Sequence, residues 1–486
     1  MNRLKLLLKN FFVYGFGGII SKLVPLIMVP IITRLMPDTF YFGISDLSNT
    51  LISLFSALAV MGMYDAMYRL FFEKDDIQFK REVCSSAFSF TLLTSIIVSA
   101  LMLILNVPLS KLFYSDFKYG NLVMLCALSV LIGSTNSIIS APTRMENKWK
   151  VFLVTNTLSP VISYSIAIPL LMNGYYLIAL PLATLISSLT LEISFYVMNR
   201  KRFKIRDTHR SHIKDMLKIA LPLLPNFIIY WIFNSSDRLM ISNILGVDAA
   251  GVYAVGAKFG QISQLVYLAF AGGWQYFAFS IMKDKDNIKV ISKVFSFLTL
   301  LSLMITIYMT GISDPLIKLL FEEQYWGAYI SIPYLFMSPL LLMLFQIGTN
   351  QFLVIKKTWP NLLILSLGAV LNIVLNYFLI PVLGIEGASI GTIVGYVISV
   401  LLCVIVLVKM KLLEINWKII FTFILFICSF VIMRIFDFNT WYVNLSTCLA
   451  FTIIAMMVYY KEIGKLVVTV KGLLRKKDEV QVNDNE

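Results

Sequence analysis

The chain has 486 residues, 58% of them hydrophobic and 14% charged, where an ordinary soluble domain carries about 25% charged residues. That much apolar surface could not be hidden from water, so the bilayer is the expected solvent and a water-soluble enzyme is excluded. A nucleic-acid binder is excluded as well, despite a net charge of +14 from 41 Lys and Arg against 27 Asp and Glu.

Runs of about 20 apolar residues are long enough to cross a bilayer as helices. Fourteen are expected, near 11–35, 42–68, 83–106, 121–140, 151–172, 175–198, 217–241, 250–282, 290–311, 331–354, 361–380, 386–408, 418–436 and 441–460. The first follows Arg3, Lys5 and Lys9 as the core of a signal peptide would. It runs too long and lacks a small-residue cleavage site, so it reads as an uncleaved span. With the N-terminus inside, 33 of the 41 basic residues fall in cytoplasmic segments, three (Lys111, Lys118, Lys318) in external loops and five (Lys22, Arg34, Arg238, Lys258, Arg434) within spans. This is the asymmetry of the positive-inside rule, and it predicts both termini on the cytoplasmic side of the cytoplasmic membrane. No loop is long enough for an aqueous catalytic segment, which argues against a membrane transferase. The basic stretch Asn199–Asp215 reads as a topology anchor, with anionic lipid as the alternative partner. Five cysteines without a C-x-x-C pair form no disulfide framework or zinc site. His209 and His212 are too few and too close for a catalytic network.

The chain also repeats itself. Ile168-Pro169-Leu170-Leu171 returns as Ile380-Pro381-Val382-Leu383, Lys74-Asp75-Asp76-Ile77 as Lys285-Asp286-Asn287-Ile288, and Trp149 as Trp359. Leu35-Met36-Pro37-Asp38…Gly43 resembles Leu245-Gly246-Val247-Asp248…Gly251. The near-constant offset spans six helices, an even number, so the two copies run in the same direction through the membrane, and a site is expected between them near the midplane. The expected organisation is a six-helix lobe over 1–210, a second over 211–412, two further helices over 413–460 and a charged cytoplasmic tail over 461–486. The first helix of each lobe carries a proline pair, Pro25 and Pro30 in one and Pro222 and Pro225 in the other, which predicts a bend.

These features carry a resemblance. The spans grouped as two sixes and a pair, the proline-bent first helices, the stretch Asp237-Arg238…Leu245-Gly246…Gly251-Val252-Tyr253 and the turn Ile380-Pro381…Gly384-Ile385-Glu386-Gly387-Ala388 resemble the polysaccharide transporter (Wzx-type) branch of the multidrug/oligosaccharidyl-lipid/polysaccharide exporter superfamily. The resemblance covers residues 1–460. It implies an all-α, MATE-like exporter fold with no catalytic or metal site and no cofactor. It also implies a flippase that carries an undecaprenyl-pyrophosphate-linked oligosaccharide, for capsule, O-antigen or exopolysaccharide, by alternating access. Its partners would be that lipid-diphosphate substrate, the bilayer and polysaccharide assembly proteins, with no nucleic acid. A peptidoglycan lipid-precursor flippase shares the lipid and the diphosphate and stays open as an alternative. So does a multidrug or cation extruder, although such extruders usually stop at twelve spans.

An ionised side chain at the bilayer centre costs at least about 2.5–3.5 kcal/mol on insertion scales and therefore faces a cavity or a partner. Lys22 and Lys258 lie deep in their spans and are the leading cations for the diphosphate, a role that suits lysine as a point charge; an ion pair with Asp46, Asp65 or Asp237 is the alternative. Arg34 and Arg238 are expected at the outer ends of the first and seventh helices, as a basic rim or as snorkelling side chains. Asp237 adjoins Arg238 without sharing its helix face. Asp65 and Arg69, four residues apart, are expected to pair on one helix face or to gate the inner side. Asp46 and Glu192 are candidates for a coupling proton or sodium ion. Arg434 is read as an interfacial anchor. Asn136, its repeat counterpart Gln346, and Asn350 are candidate sugar contacts. Asn156, Asn234, Gln261, Gln264, Gln351, Asn372 and Asn376 lie within spans too, where amides also join helices at around 0.6 kcal/mol each.

Overall fold

The computed structural model describes residues 23–461 except 147, 283, 285 and 358, and leaves aside the side chains of 149, 152, 153, 156, 269, 272, 273, 275 and 276. Lys22 and the amide of Asn156 therefore lie outside what is described. Every regular element among the described residues is helical. In chain order, α1 (Leu23–Arg34) leads through the turn at Met36–Asp38 into α2 (Thr39–Val60), α3 (Met63–Phe71), α4 (Ile77–Ile104), α5 (Asn106–Tyr114), α6 (Gly120–Met145), α7 (Trp149–Met172) and α8 (Ala179–Asn199). Then follow α9 (Arg210–Ala220), α10 (Leu224–Trp231), α11 (Asp237–Ile244), α12 (Val247–Gly260), α13 (Gln264–Ser280), α14 (Asn287–Leu320), α15 (Ile332–Val354), α16 (Trp359–Leu383), α17 (Ile385–Lys409) and α18 (Trp417–Ile435). The last is α19 (Trp441–Lys461). Among the described residues, eleven helical stretches are long and apolar enough to cross a membrane, and the chain is an all-α, multi-pass membrane protein. The other three expected spans fall on α1, on α7 and on the interrupted pair α12–α13.

Several expected spans are broken, each for a local reason. The span 42–68 divides at Met61 and Gly62, both in left-handed backbone with φ of 52° and 74°, a conformation that ends helices. The span 217–241 is a series of pieces. Pro222 sits in a 3-10 turn over Leu221–Leu223, Pro225 opens α10, and a π turn over Ile232–Ser236 widens the helix just before Asp237. Proline removes an amide donor and so shortens the hydrogen-bonded run on which it falls. A 3-10 turn at Gln261–Ser263 divides α12 from α13.

Small residues let the helices meet closely. At one end of the bundle α2 crosses α12 where Gly43 meets Gly251: a Cβ on Gly251 would stand 2.0 Å from the Thr39 carbonyl oxygen, and one on Gly43 2.3 Å from that of Val247. Backbone approach this tight needs glycine on both sides. Thr39 Oγ1 donates to Asp248 Oδ1 across the same crossing at 3.2 Å. The Tyr325 hydroxyl adds a bond to the Asp38 carbonyl at 3.4 Å. Gly368 of α16 and Gly395 of α17 pack in the same way.

At the far end of α2 the basic segment between α8 and α9 is strapped to α4. The Ser86 hydroxyl accepts from the His209 amide at 2.9 Å and donates to its carbonyl at 3.4 Å. Ser85 accepts from the Lys204 amide at 3.0 Å, and Ser89 meets Thr208 at 2.7 Å. Arg81 pairs with Asp207, and His212 reaches Glu82 at 3.3 Å. Burial alone would raise the Glu146 carboxyl, yet Lys148 and Arg202, each at 2.7 Å, hold it below the usual carboxylate range.

The final pair of helices is seated on α14. Tyr308 bonds Thr452 at 2.8 Å, and the Cys448 thiol donates to the Ile307 carbonyl at 3.5 Å. Here one expectation needs correcting. Arg434 is not a free interfacial anchor: it grips Glu386 of α17 through both carboxylate oxygens, at 2.6 and 2.7 Å, and also pairs with Asp437. Tyr334 of α15 donates to the same Glu386 at 2.6 Å. A half-buried guanidinium in an apolar setting takes a bidentate partner where one is within reach.

Candidate functional site

The charges collect where α2, α11 and α12 meet. Asp46 lies eight residues into α2, on the face turned to α12, and is 6% exposed. Its Oδ2 accepts from Arg238 Nε at 2.6 Å, and its Oδ1 stands 3.8 Å from Lys258 Nζ. Arg238 is also 6% exposed. Its Nη1 donates to the Asn234 carbonyl and lies 3.5 Å from Asp237 Oδ1. Asp237 takes the Arg238 backbone N–H at 2.9 Å and the Tyr253 hydroxyl, and the guanidinium lies 5.9 Å from the centre of the Tyr253 ring. Two cations and two anions thus form one quartet, buried at Asp46, Asp237 and Arg238 and partly open at Lys258. Burying such ions is costly, and each is tolerated only because the others satisfy it.

The quartet separates two small clefts. One, about 100 Å³, is lined by Pro25, Val29, Ser45, Asp46, Asn49, Tyr164, Thr184 and Lys258. The other, about 50 Å³, is lined by Asn234, Asp237, Arg238, Gln261, Gln264, Tyr267, Thr392 and Tyr396 among others. Lys258 remains about a third exposed through its side chain, so its ammonium stays open to a ligand while Arg238 is sealed. The 3-10 turn after α12 places Gln261 and Gln264 at the second cleft.

The structure brings some of the singled-out residues together and parts others. Arg238 and Arg34 do not form a rim. Arg238 is drawn inward by Asp46, whereas the exposed Arg34 donates to the Leu320 carbonyl at 3.1 Å, at the negative end of the α14 dipole. Asp237 does contact Arg238 although adjacent in sequence, because its carboxylate turns back onto the next amide and the guanidinium folds over it. Asp65 and Arg69, in the first and last turns of the short α3, are both exposed and do not pair with each other. Glu192 accepts from Thr135 Oγ1 at 2.6 Å, away from both clefts. Asn136 and Gln346 play different parts. Asn136 buries an unpartnered Oδ1, while Gln346 bonds the Tyr267 hydroxyl, and Asn350 sits half-buried near by on α15. Asn372 donates to Thr392 at 3.0 Å, an inter-helix tie. Tyr253, Tyr164 and Glu386 contribute contacts as well, although the sequence alone assigns none of them a partner or a place in the site. Glu386 had a signal, since the in-span Arg434 needed a partner. The tyrosines had none, because an aromatic side chain within an apolar run reads as part of the span.

A bundle of membrane-crossing helices with opposing charges at the junction of its first and second halves, flanked by polar clefts, defines a multi-pass membrane protein with a charged interior site. The pattern of the family described as "Polysaccharide biosynthesis protein" matches residues 31–330, more than half of the chain, and the chain belongs to that family. Among solved structures, the lipid II flippase MurJ in an inward closed conformation is similar with a TM-score of 0.72 at 15% identity, over 93% of this chain and 99% of that one. An inward-facing multidrug resistance MATE family transporter of the MOP superfamily is similar with a TM-score of 0.54 at 15% identity, over 81% and 98%. A MATE transporter of Vibrio cholerae gives 0.56 at 15% identity, over 85% and 99%. An uncharacterised membrane protein of Methanocaldococcus jannaschii is 27% identical over 194 residues, 39% of this chain. That match spans 38% of the relative's length.

Proposed function

We propose that the protein is a flippase, not an enzyme, that moves an undecaprenyl-pyrophosphate-linked oligosaccharide across the cytoplasmic membrane, with both termini on the cytoplasmic side. The observation that carries this reading is the pair of cations where α2, α11 and α12 meet: Arg238 lines one cleft and Lys258 the other, and a diphosphate crossing a medium of low dielectric needs positive partners. Lys22 is a third cation in this reading. The amides Gln261, Gln264 and Asn234 beside the quartet offer hydrogen bonds to a hydroxyl-rich head group. Clefts of about 100 and 50 Å³ are far below the roughly 300–1,000 Å³ of a ligand pocket. Residues 1–210 and 211–412 would therefore part as two lobes to admit the head group and rock to release it on the other side. The helices over 413–460 would move with the second lobe, to which Arg434–Glu386 ties them. Asp46, Asp237 or Glu192 would take a proton or sodium ion if the cycle is coupled to one.

Disruption of the gene in the native host, complemented by wild type, Lys258→Ala or Lys22→Ala, tests the reading. Surface polysaccharide should be lost on disruption, restored by wild type and not restored by either variant, with each variant still present in the membrane by immunoblot. Intact polysaccharide with raised drug susceptibility would mean a multidrug extruder instead. Lethality with accumulated peptidoglycan precursor would move the substrate to that lipid.

A further inference from the structure

The charge count of the quartet raises a question for any anionic substrate. Asp46 and Asp237 together cancel Arg238 and Lys258, so in this conformation the described site presents no net positive charge. Asp46 is the member that occupies both cations at once, Arg238 Nε on one oxygen and Lys258 Nζ on the other, and it does so on the wall of the cleft. Asp237, by contrast, is tied to the backbone of Arg238 and to Tyr253. Asp46 spreads two oxygens between two cations, which is also what a phosphate does.

We propose that Asp46 is a resident counter-anion: its carboxylate holds Arg238 and Lys258 in the empty protein and is displaced when a diphosphate takes the same two cations. This rests on the flippase reading and adds to it a competing group inside the site. Two consequences follow. An anion that reaches only one of the cations gains nothing by entering, because Asp46 already satisfies both, and only a ligand able to engage the two together, as the oxygens of a diphosphate or a sulfate can, dislodges it. A carboxylate expelled from its cations into a low-dielectric cleft is stabilised by a proton, so diphosphate and proton bind cooperatively, each favouring the other by the same factor. Among the described residues, the ionisable groups facing Asp46 are Arg238 and, through it, Asp237 on α11, Lys258 and Tyr253 on α12, and Tyr164 on α7 across the cleft.

The test measures binding of farnesyl diphosphate to the full-length protein in detergent by calorimetry. Asp46→Asn should bind about fivefold tighter or more than wild type, Asp46→Glu should stay near wild type, and Lys258→Gln should lose the binding. If Lys258→Gln loses it while a folded Asp46→Asn binds no tighter, the counter-anion role is overturned and the flippase reading stands. If Lys258→Gln binds as wild type does, or no protein binds, both fall. Asp46→Asn strips a buried arginine of its partner, so a second arm uses the natural residue: dialysis of wild type against radiolabelled sulfate, an anion that does not titrate near neutral pH. The part of sulfate binding that Lys258→Gln abolishes should strengthen as pH falls, and a flat profile overturns the proposal.

Discussion

Replacing Gly251 with alanine tests how tightly one end of the bundle is closed. The new Cβ would stand 2.0 Å from the Thr39 carbonyl oxygen and 3.1 Å from the Gly43 nitrogen. Both are backbone atoms, so no rotamer change relieves the contact. Ordinary van der Waals contact begins near 3.4 Å, so α2 and α12 must part by about 1.4 Å at the crossing. Overpacking of this kind costs about 1–3 kcal/mol, equivalent to a shift of about 5- to 150-fold between the closed form and any form in which the two helices separate. The assay is disulfide trapping between Thr39→Cys and Asp248→Cys, whose native side chains meet at 3.2 Å, in a background with the native cysteines replaced. Trapping should be fast with Gly251 and slower by a similar factor with Gly251→Ala, while the protein still elutes as a folded species. Equal trapping rates would refute the claim that the glycine pair sets the closeness of this crossing.

Two other perturbations address how the remaining parts are joined. Glu386→Gln should weaken the seat of the last two helices by roughly 1–2 kcal/mol, a discounted value because Arg434 is partly exposed; thermal unfolding in detergent should fall, and Arg434→Lys, which loses the bidentate grip, should fall in the same direction. Unchanged unfolding in both variants would show that apolar packing alone seats these helices. Ser86→Ala removes both hydrogen bonds to His209, worth roughly 1 kcal/mol each, so limited proteolysis should cut the 200–209 segment several times faster with little change in global unfolding.

Hydropathy made the membrane class and most helix positions readable, because transfer free energy adds along a chain whatever the fold. Breaks within helices were less readable. Pro222 and Pro225 announced one, but the left-handed pair Met61–Gly62 and the turn at Gln261 gave no comparable signal, since both lie in apolar runs that satisfy a span. For the candidate site, the residue types were legible and their partners were not. Lys258 with Asp46 was one of several pairings that the sequence allowed, while Arg238 was placed at a rim because its position along the helix suggested a water interface.

By itself, then, the sequence determined the solvent, the helical class, the approximate spans and the family, all of which depend on properties summed over local stretches or on motifs a few residues long. Only the tertiary structure decided which charges meet. Arg238 and Asp46 are 192 residues apart, Glu386 and Arg434 are 48 apart, and Gly43 is set against Gly251 from the other half of the chain. The energy of an ion in an apolar medium depends on what lies within a few ångströms of it. That distance is set by how helices cross, and no local property of either helix contains it.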